Sequence, residues 1–431
     1  MLEAGFAVAD ITPPVGAHIP GGFRPTVSES VHDPLQVTAA VLLSDDTETA
    51  VVGVDAVSLK TEDVLDARAR AEQLCGVPAD SILIAASHTH SGGPSNDVLG
   101  VDSDAHYREQ IIRQIASAVA QACDNAVPAQ VGWAVGRAEG LAWNRRWVMK
   151  DGSHQTHVDP ASPDVVERAG PSDPEVILLC ARDLDGNDLG YVGNFTCHVT
   201  IMGGDEFSAD YPGDWRARLG LARLTAAPLV FLNGAMGDIT QVNKESDLPQ
   251  RGEAGVERFG LALTGESMKL FADMRFHQDV PLAVASEVPR IEMREPSPEQ
   301  LDQDRTLLAA DAGKLESHEA VFARERVLLR EYIDQVGAAP VEVKCMRIGD
   351  LGLASCAGQM FCAFGIDTKQ QSPFEATMFV SLANGNAGYV PTAEAIEKGG
   401  YEPTLCRGSR LAPDAGERIV QTAVRLLKSL G

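Results

Sequence analysis

The sequence predicts an α/β fold of layered mixed β-sheets covered by helices. Three observations carry this. Short apolar runs of strand length alternate with amphipathic stretches of helical spacing, the mark of β-α-β units. That plan occurs near residues 50–87 and again near 175–234. At 44% hydrophobic, a chain of 431 residues has enough apolar surface for a sizeable core.

In chain order, "AVVGVDA" at 50–56 reads as a buried strand. Thr61 is placed to N-cap a helix through "EDVLDARARAEQLC", with Gly76 at its C′ position. "SILIAAS" is a second buried strand, followed by a helix near 104–123 and a strand in "QVGWAVGRAE". "EVILLCARD" and "LGYVGNFTCH" flank the hairpin turn "DGND". A helix around 213–224 leads into the strand "PLVFLNG", and 253–276 reads as helix. Residues 277–300, rich in Pro and Glu, are the weakest stretch and the one candidate linker. Helical spacing with many charges over 297–336 predicts one long or broken helix facing solvent, a helical insertion in a single catalytic domain spanning 1–431. "VEVKCMRIGD" and "LGLASCAG" are strands around a Gly-Asp turn, "ATMFVSLANG" is another, and "GERIVQTAVRLLKSL" closes as helix.

Thirty-six basic against 61 acidic residues give a formal charge of −25, which argues against nucleic acid or anionic membrane as partner. No run approaches the ~18 apolar residues of a membrane span. The eight cysteines form no CxxC pair and sit in apolar runs, which suits buried thiols in a reducing compartment. The start carries no basic and apolar leader pattern. The expectation is a cytoplasmic chain with a small-molecule substrate, homo-oligomer formation being left open.

Five stretches carry candidate chemistry. "SHTHSGG" at 87–93 places His88 and His90 where a strand ends; they either decorate a turn or begin a metal site. His198 also ends an apolar run, followed by "SADYPGD", an apparent helix start. Strand C-termini are where α/β sheets place ligand sites. "FLNGAMGDITQVN" puts Asp238 and Thr240 on a glycine-rich loop after a strand, without the GK[ST] of a phosphate loop. Tyr389 and Tyr401 lie twelve apart. In "AWNRRW", Arg145 or Arg146 can hold an oxyanion or join an ordinary ion pair.

In order along the chain, "ADITPPVG", "SHTHSGG", "NR" at 144–145, "H…SADYPGD", "NGAMGDITQ" and "GDLGLASCAGQMF" to "GYVPT…GGYE" resemble the catalytic domain of the neutral/alkaline (non-lysosomal) ceramidase family. The resemblance implies that family's catalytic-domain fold and one catalytic zinc. Its ligands carry over to His88, His198, position 359 and Tyr389. His90 becomes the acid/base, with Arg145 and Tyr401 supporting substrate and oxyanion. Two departures stand out. The family's glutamate is Gln359, a neutral and poorer ligand that lowers metal affinity. The family's serine in "GDVSP" is Thr240, which keeps a hydroxyl and adds a methyl. Family members carry a further C-terminal immunoglobulin-like domain and are exported. This chain shows neither, which argues against ceramide and for a soluble amide or ester such as an N-acyl sugar or amino compound.

The mechanism this implies is attack of a zinc-bound hydroxide on a carbonyl, with His90 moving the proton. Arg145, Tyr401 or backbone N–H groups near Gly92 and Gly93 hold the oxyanion. Asp210 or Asp238 orients a ligand histidine. Gln359 also keeps two other readings open: a lyase or isomerase acting on a sugar-like substrate, and a ceramidase-like binding protein without catalysis.

Overall fold

In the computed structural model, which describes every residue except 312, 313 and 316, two β-sheets stack face to face and helices cover both outer sides. The first sheet contains β1 (Glu3–Asp10), β2 (Gln36–Leu43), β3 (Glu48–Val54), β4 (Ile82–Ala86), β5 (Val127–Arg137), β6 (Glu175–Asp183), β7 (Asp188–Phe195) and β8 (Leu229–Asn233). Their order is β8-β7-β6-β5-β1-β2-β3-β4, with Arg275–His277 pairing onto β5. The middle of the sheet is antiparallel, and each end is a parallel pair, β3 with β4 and β7 with β8. The second sheet runs β9 (Leu282–Glu287), β10 (Val343–Ile348), β11 (Leu351–Cys356) and β12 (Ala376–Val380), and ends in a third parallel pair, β11 with β12.

Parallel neighbours need a crossover, and a helix supplies each one. The helix α1 (Thr61–Cys75) joins β3 to β4. It packs with α2 (Ala105–Asp124) on the outer face, over Val37, Val52 and Ile84. The helix α3 (Tyr211–Arg223) joins β7 to β8 and packs with α4 (Gly252–Asp273) over Leu178, Phe195 and Phe231. Between the sheets, Phe6, Leu42, Val51, Leu83 and Leu179 meet Met346, Leu353 and Met378. Strands buried on both faces read as continuous apolar runs, which is why the crossover units near 50–87 and 175–234 were legible.

The 297–336 stretch forms α5 (Pro298–Asp311) and α6 (His318–Val336), packed on each other; residues 312, 313 and 316 within it lie outside the described residues. The outer face of the second sheet is covered by α7 (Cys362–Gln371), its crossover, and α8 (Ala415–Leu430), through Phe364, Ile419 and Ala423.

Two local expectations are corrected. Residues 277–300 are no linker, because β9 pairs with β10 along its whole length. Thr61 is the first residue of α1 and not its cap; Lys60 takes that place without a side-chain bond, and Gly76 ends the helix at φ 87° as expected. All eight cysteines are unbridged and six are buried. Among the described residues no helix is long and apolar enough to cross a membrane.

Candidate active site

The first sheet curls until its two ends meet. Asn233, at the end of β8, donates from Nδ2 to the carbonyls of Ser87 (3.0 Å) and Cys197 (2.9 Å), tying the loop after β4 to the loop after β7. Residues 110 positions apart in the chain thereby become neighbours. The rings of His88 and His198 lie 4.9 Å apart between centroids, and those of His88 and His90 4.7 Å apart.

Each parallel pair contributes in the same way. His88 follows β4, and its Nδ1 sits 2.7 Å from the carbonyl of Val57, which follows β3. His198 follows β7, and its Nδ1 sits 2.7 Å from the carbonyl of Met236, which follows β8. Gln359 follows β11 and pairs, strand to strand, with Tyr389, which follows β12. The site is therefore built where three parallel pairs end, at their C-terminal edges. His88 adopts φ 73°, a left-handed conformation uncommon outside glycine. It is held there by bonds from Ser87 N to Val54 O and from His88 N to Ala56 O, each 2.9 Å. The HxH pair lies past the strand end, so its geometry comes from this turn and not from period-two alternation.

A carbonyl accepts at each Nδ1, so the proton sits there and both Nε2 atoms carry free lone pairs. His90 Nε2 lies 3.2 Å from His88 Nε2, and the Tyr389 hydroxyl lies 3.5 Å from His198 Nε2. Burial pushes the His88 imidazole down to about 4, and pushes His90 and His198 well below their ordinary value, with Arg145 adding to it. All three rings are neutral near pH 7. Gly21 packs against His90: at φ 109°, a Cβ there would lie 2.5 Å from His90 Nδ1, so only glycine fits.

Arg145 projects from between two short strands, Trp143–Asn144 and Arg146–Met149. Its Nε donates to Glu402 Oε1 (2.7 Å), and its Nη2 donates to Gly237 O and to the Tyr389 hydroxyl, both 3.0 Å. Arg146 donates to the other Glu402 oxygen at 2.6 Å, and Thr156 Oγ1 donates to that oxygen at 3.0 Å. Glu402 is fully buried. Burial pushes its carboxyl up, but the two guanidiniums outweigh that and hold it below the usual value.

Two cavities meet at this cluster. The larger, about 580 Å³, is lined by His88, His90, Gln359, Tyr389 and Tyr401 among others. The smaller, about 210 Å³, has His90, Arg145, His157, His198 and Thr240 in its wall and shares Tyr389 and Tyr401 with the larger. Gln359 is 9% exposed, and its Oε1 is buried without a hydrogen-bond partner. Among the described residues no set of three or more His, Cys, Asp or Glu side chains is arranged to hold a metal ion.

No family model and no curated protein matches this sequence. Solved structures do. The neutral ceramidase from Pseudomonas aeruginosa superposes with a TM-score of 0.76 at 17% identity, covering 100% of this chain and 74% of that one. A ceramidase complexed with C2 superposes at 0.74, also at 17% identity, covering 100% and 75%. The fold is that of a neutral ceramidase.

On this ceramidase fold, all eight residues singled out in the sequence line the two adjoining cavities: His88 and Gln359 the larger, Arg145, His198 and Thr240 the smaller, and His90, Tyr389 and Tyr401 both. The Thr240 hydroxyl is engaged locally, accepting from Val242 N at 3.2 Å and donating to Gln241 Oε1 at 3.3 Å. Two expectations are corrected. Asp210 and Asp238 do not orient the histidines, because backbone carbonyls do. Asp210 accepts from Met202 N and Tyr211 N, and Asp238 accepts from Asn144 Nδ2 and Cys362 N. Gly92 and Gly93 line neither cavity; a Cβ on Gly93 would lie 2.5 Å from the Tyr107 ring, so its role is packing. The residue that sequence reading missed is Glu402, which stands beside Tyr401 in the quoted "GGYE"; the adjacent Arg145–Arg146 pair was the one available sign that a buried carboxylate was needed.

Proposed function

We propose that this chain hydrolyses an amide or ester bond in a small soluble molecule, with zinc held by His88, His198, Tyr389 and Gln359. The observation that carries the reading is the pair of neutral imidazoles, each locked through Nδ1 to a backbone carbonyl, beside the unpartnered Oε1 of Gln359. Histidine ligands of metals are oriented through their second nitrogen in this manner. The donor set fits zinc through imidazole, phenol and amide, with no carboxylate in it. Bound there, zinc supplies Lewis acidity that polarises a carbonyl and lowers the pKa of water to roughly 7.

The chain's own residues do the rest. His90, neutral and facing both cavities, accepts the proton of the attacking water and returns it to the leaving nitrogen or oxygen. The new C–O bond forms as the C–N or ester C–O bond breaks. Arg145, fixed by Glu402 and Gly237, holds the developing oxyanion together with the Tyr401 hydroxyl. The test is a substrate panel of N-acyl compounds and esters beside polyhydroxylated acids and sugars, run with and without chelator. Expected is release of amine or alcohol that chelation abolishes. Turnover of a sugar acid without hydrolysis, or hydrolysis indifferent to chelator, contradicts the proposal.

A further inference from the structure

We infer that the smaller cavity is an oxyanion subsite that takes a carboxylate of the substrate; this rests on the hydrolytic reading above and names its substrate class. The cavity holds about 210 Å³, and its lining residues include His90, Arg145, His157, Arg251, Tyr389 and Tyr401. No aspartate or glutamate is among them, in a chain where acids outnumber bases 61 to 36.

The positive charge in that wall is not cancelled. Arg145 and Arg146 share the single carboxylate of Glu402, which leaves one charge in excess there. Arg251, an exposed residue immediately before α4, makes no ion pair and no hydrogen bond among the described residues, although it lines the cavity and its charge acts on the His157 ring. Most other arginines of this chain are paired with a carboxylate, so an unpaired one lining a cavity is an available donor for an anion. Lys244 adds a further charge nearby, its Nζ donating to the His157 carbonyl at 2.8 Å. Burial pushes the His157 imidazole down to about 4, so the ring is a neutral member of this wall. A planar guanidinium matches a carboxylate with two parallel N–H donors.

The two cavities share His90, Tyr389 and Tyr401. A substrate that places its carboxylate against Arg251 therefore lays its scissile bond at that shared wall and extends its other half into the larger cavity. An N-acyl amino acid has this layout, with the amide two atoms from the carboxylate carbon.

The test compares N-acetylglycinate with its neutral analogue N-acetylglycinamide, in wild type and in Arg251→Ala. Wild type is expected to favour the carboxylate. The ratio of the two kcat/KM values should fall about 10-fold in Arg251→Ala, the scale of one hydrogen bond to a charged group, and Arg251→Lys should restore part of it. A wild-type ratio near one, or a ratio that Arg251→Ala leaves unmoved, overturns the subsite while the hydrolytic reading stands. Calorimetric titration with N-acetylglycinate needs no turnover. Binding that weakens in Arg251→Ala without any hydrolysis keeps the subsite and removes the hydrolytic reading; binding indifferent to Arg251 overturns the subsite. Inorganic phosphate is titrated alongside, and phosphate binding without N-acetylglycinate binding overturns the carboxylate assignment.

Discussion

Replacing Glu402 by alanine is expected to destabilise the fold by about 3–5 kcal/mol, read as a shift in the denaturant midpoint at unchanged slope. The reason is the buried triad. Glu402 has no exposure, and the Arg146 and Arg145 side chains retain 2% and 7%. Removing the carboxylate leaves two guanidiniums in the interior without a counter-charge, and breaking a buried pair costs far more than the pair contributes. The acceptors that remain, Gly399 O for Arg146 and Gly237 O for Arg145, are neutral and supply no counter-charge. Activity should fall with stability, because Arg145 depends on Glu402 for its position beside Tyr389. Glu402→Gln, which keeps the shape and one acceptor, should lose less stability. If Glu402→Ala melts like wild type, the triad does not hold the site together.

His90→Ala is the second large effect. Turnover should drop about 10²–10⁴-fold, the range for loss of a positioned acid/base, while the fold stays intact. The His90 backbone N donates to Val199 O at 3.1 Å, a bond that alanine keeps, and the ring contributes its contacts with His88 Nε2 and the Gly21 backbone. Steady-state kinetics beside a thermal melt separates the two readouts. A variant that keeps its full rate removes His90 from the proton path. A variant that loses rate and metal together makes His90 part of the ligand set.

The crossover units were legible because strands buried on both faces leave long apolar runs, as in "SILIAAS" and "EVILLCARD". The helix over 61–75 showed its end through Gly76, whose left-handed conformation is the usual helix stop. The central strands β1 and β2 were not read. Turn residues do bound "QVTAAVLL", with "HDP" before it and "SDDT" after it, but its alanine- and threonine-containing run is not flanked by a helical stretch that would mark a β-α-β unit. No local pattern encodes the curl of the sheet. It follows from β8 reaching both Ser87 and Cys197 through one asparagine, contacts that span 146 and 36 residues. The site residues were found because their strand-end settings repeat, whereas their anchors were misassigned. Sequence reasoning looked for acidic partners for the histidines, and the chain uses carbonyls of the neighbouring strand-end loops instead. Glu402 escaped for a related reason: its arginine partners are 256 and 257 residues away.

The centre of the proposal is that His88 and His198 hold a metal. Elemental analysis of the purified protein, wild type beside His198→Ala, tests this most directly, with a melt before and after chelation. Expected is stoichiometric zinc in wild type that His198→Ala loses, and a melting point that falls when the metal is removed, since a ligand of the folded state alone stabilises it. A metal-free wild type with full hydrolytic activity, or a His198→Ala protein that keeps its metal, would contradict it.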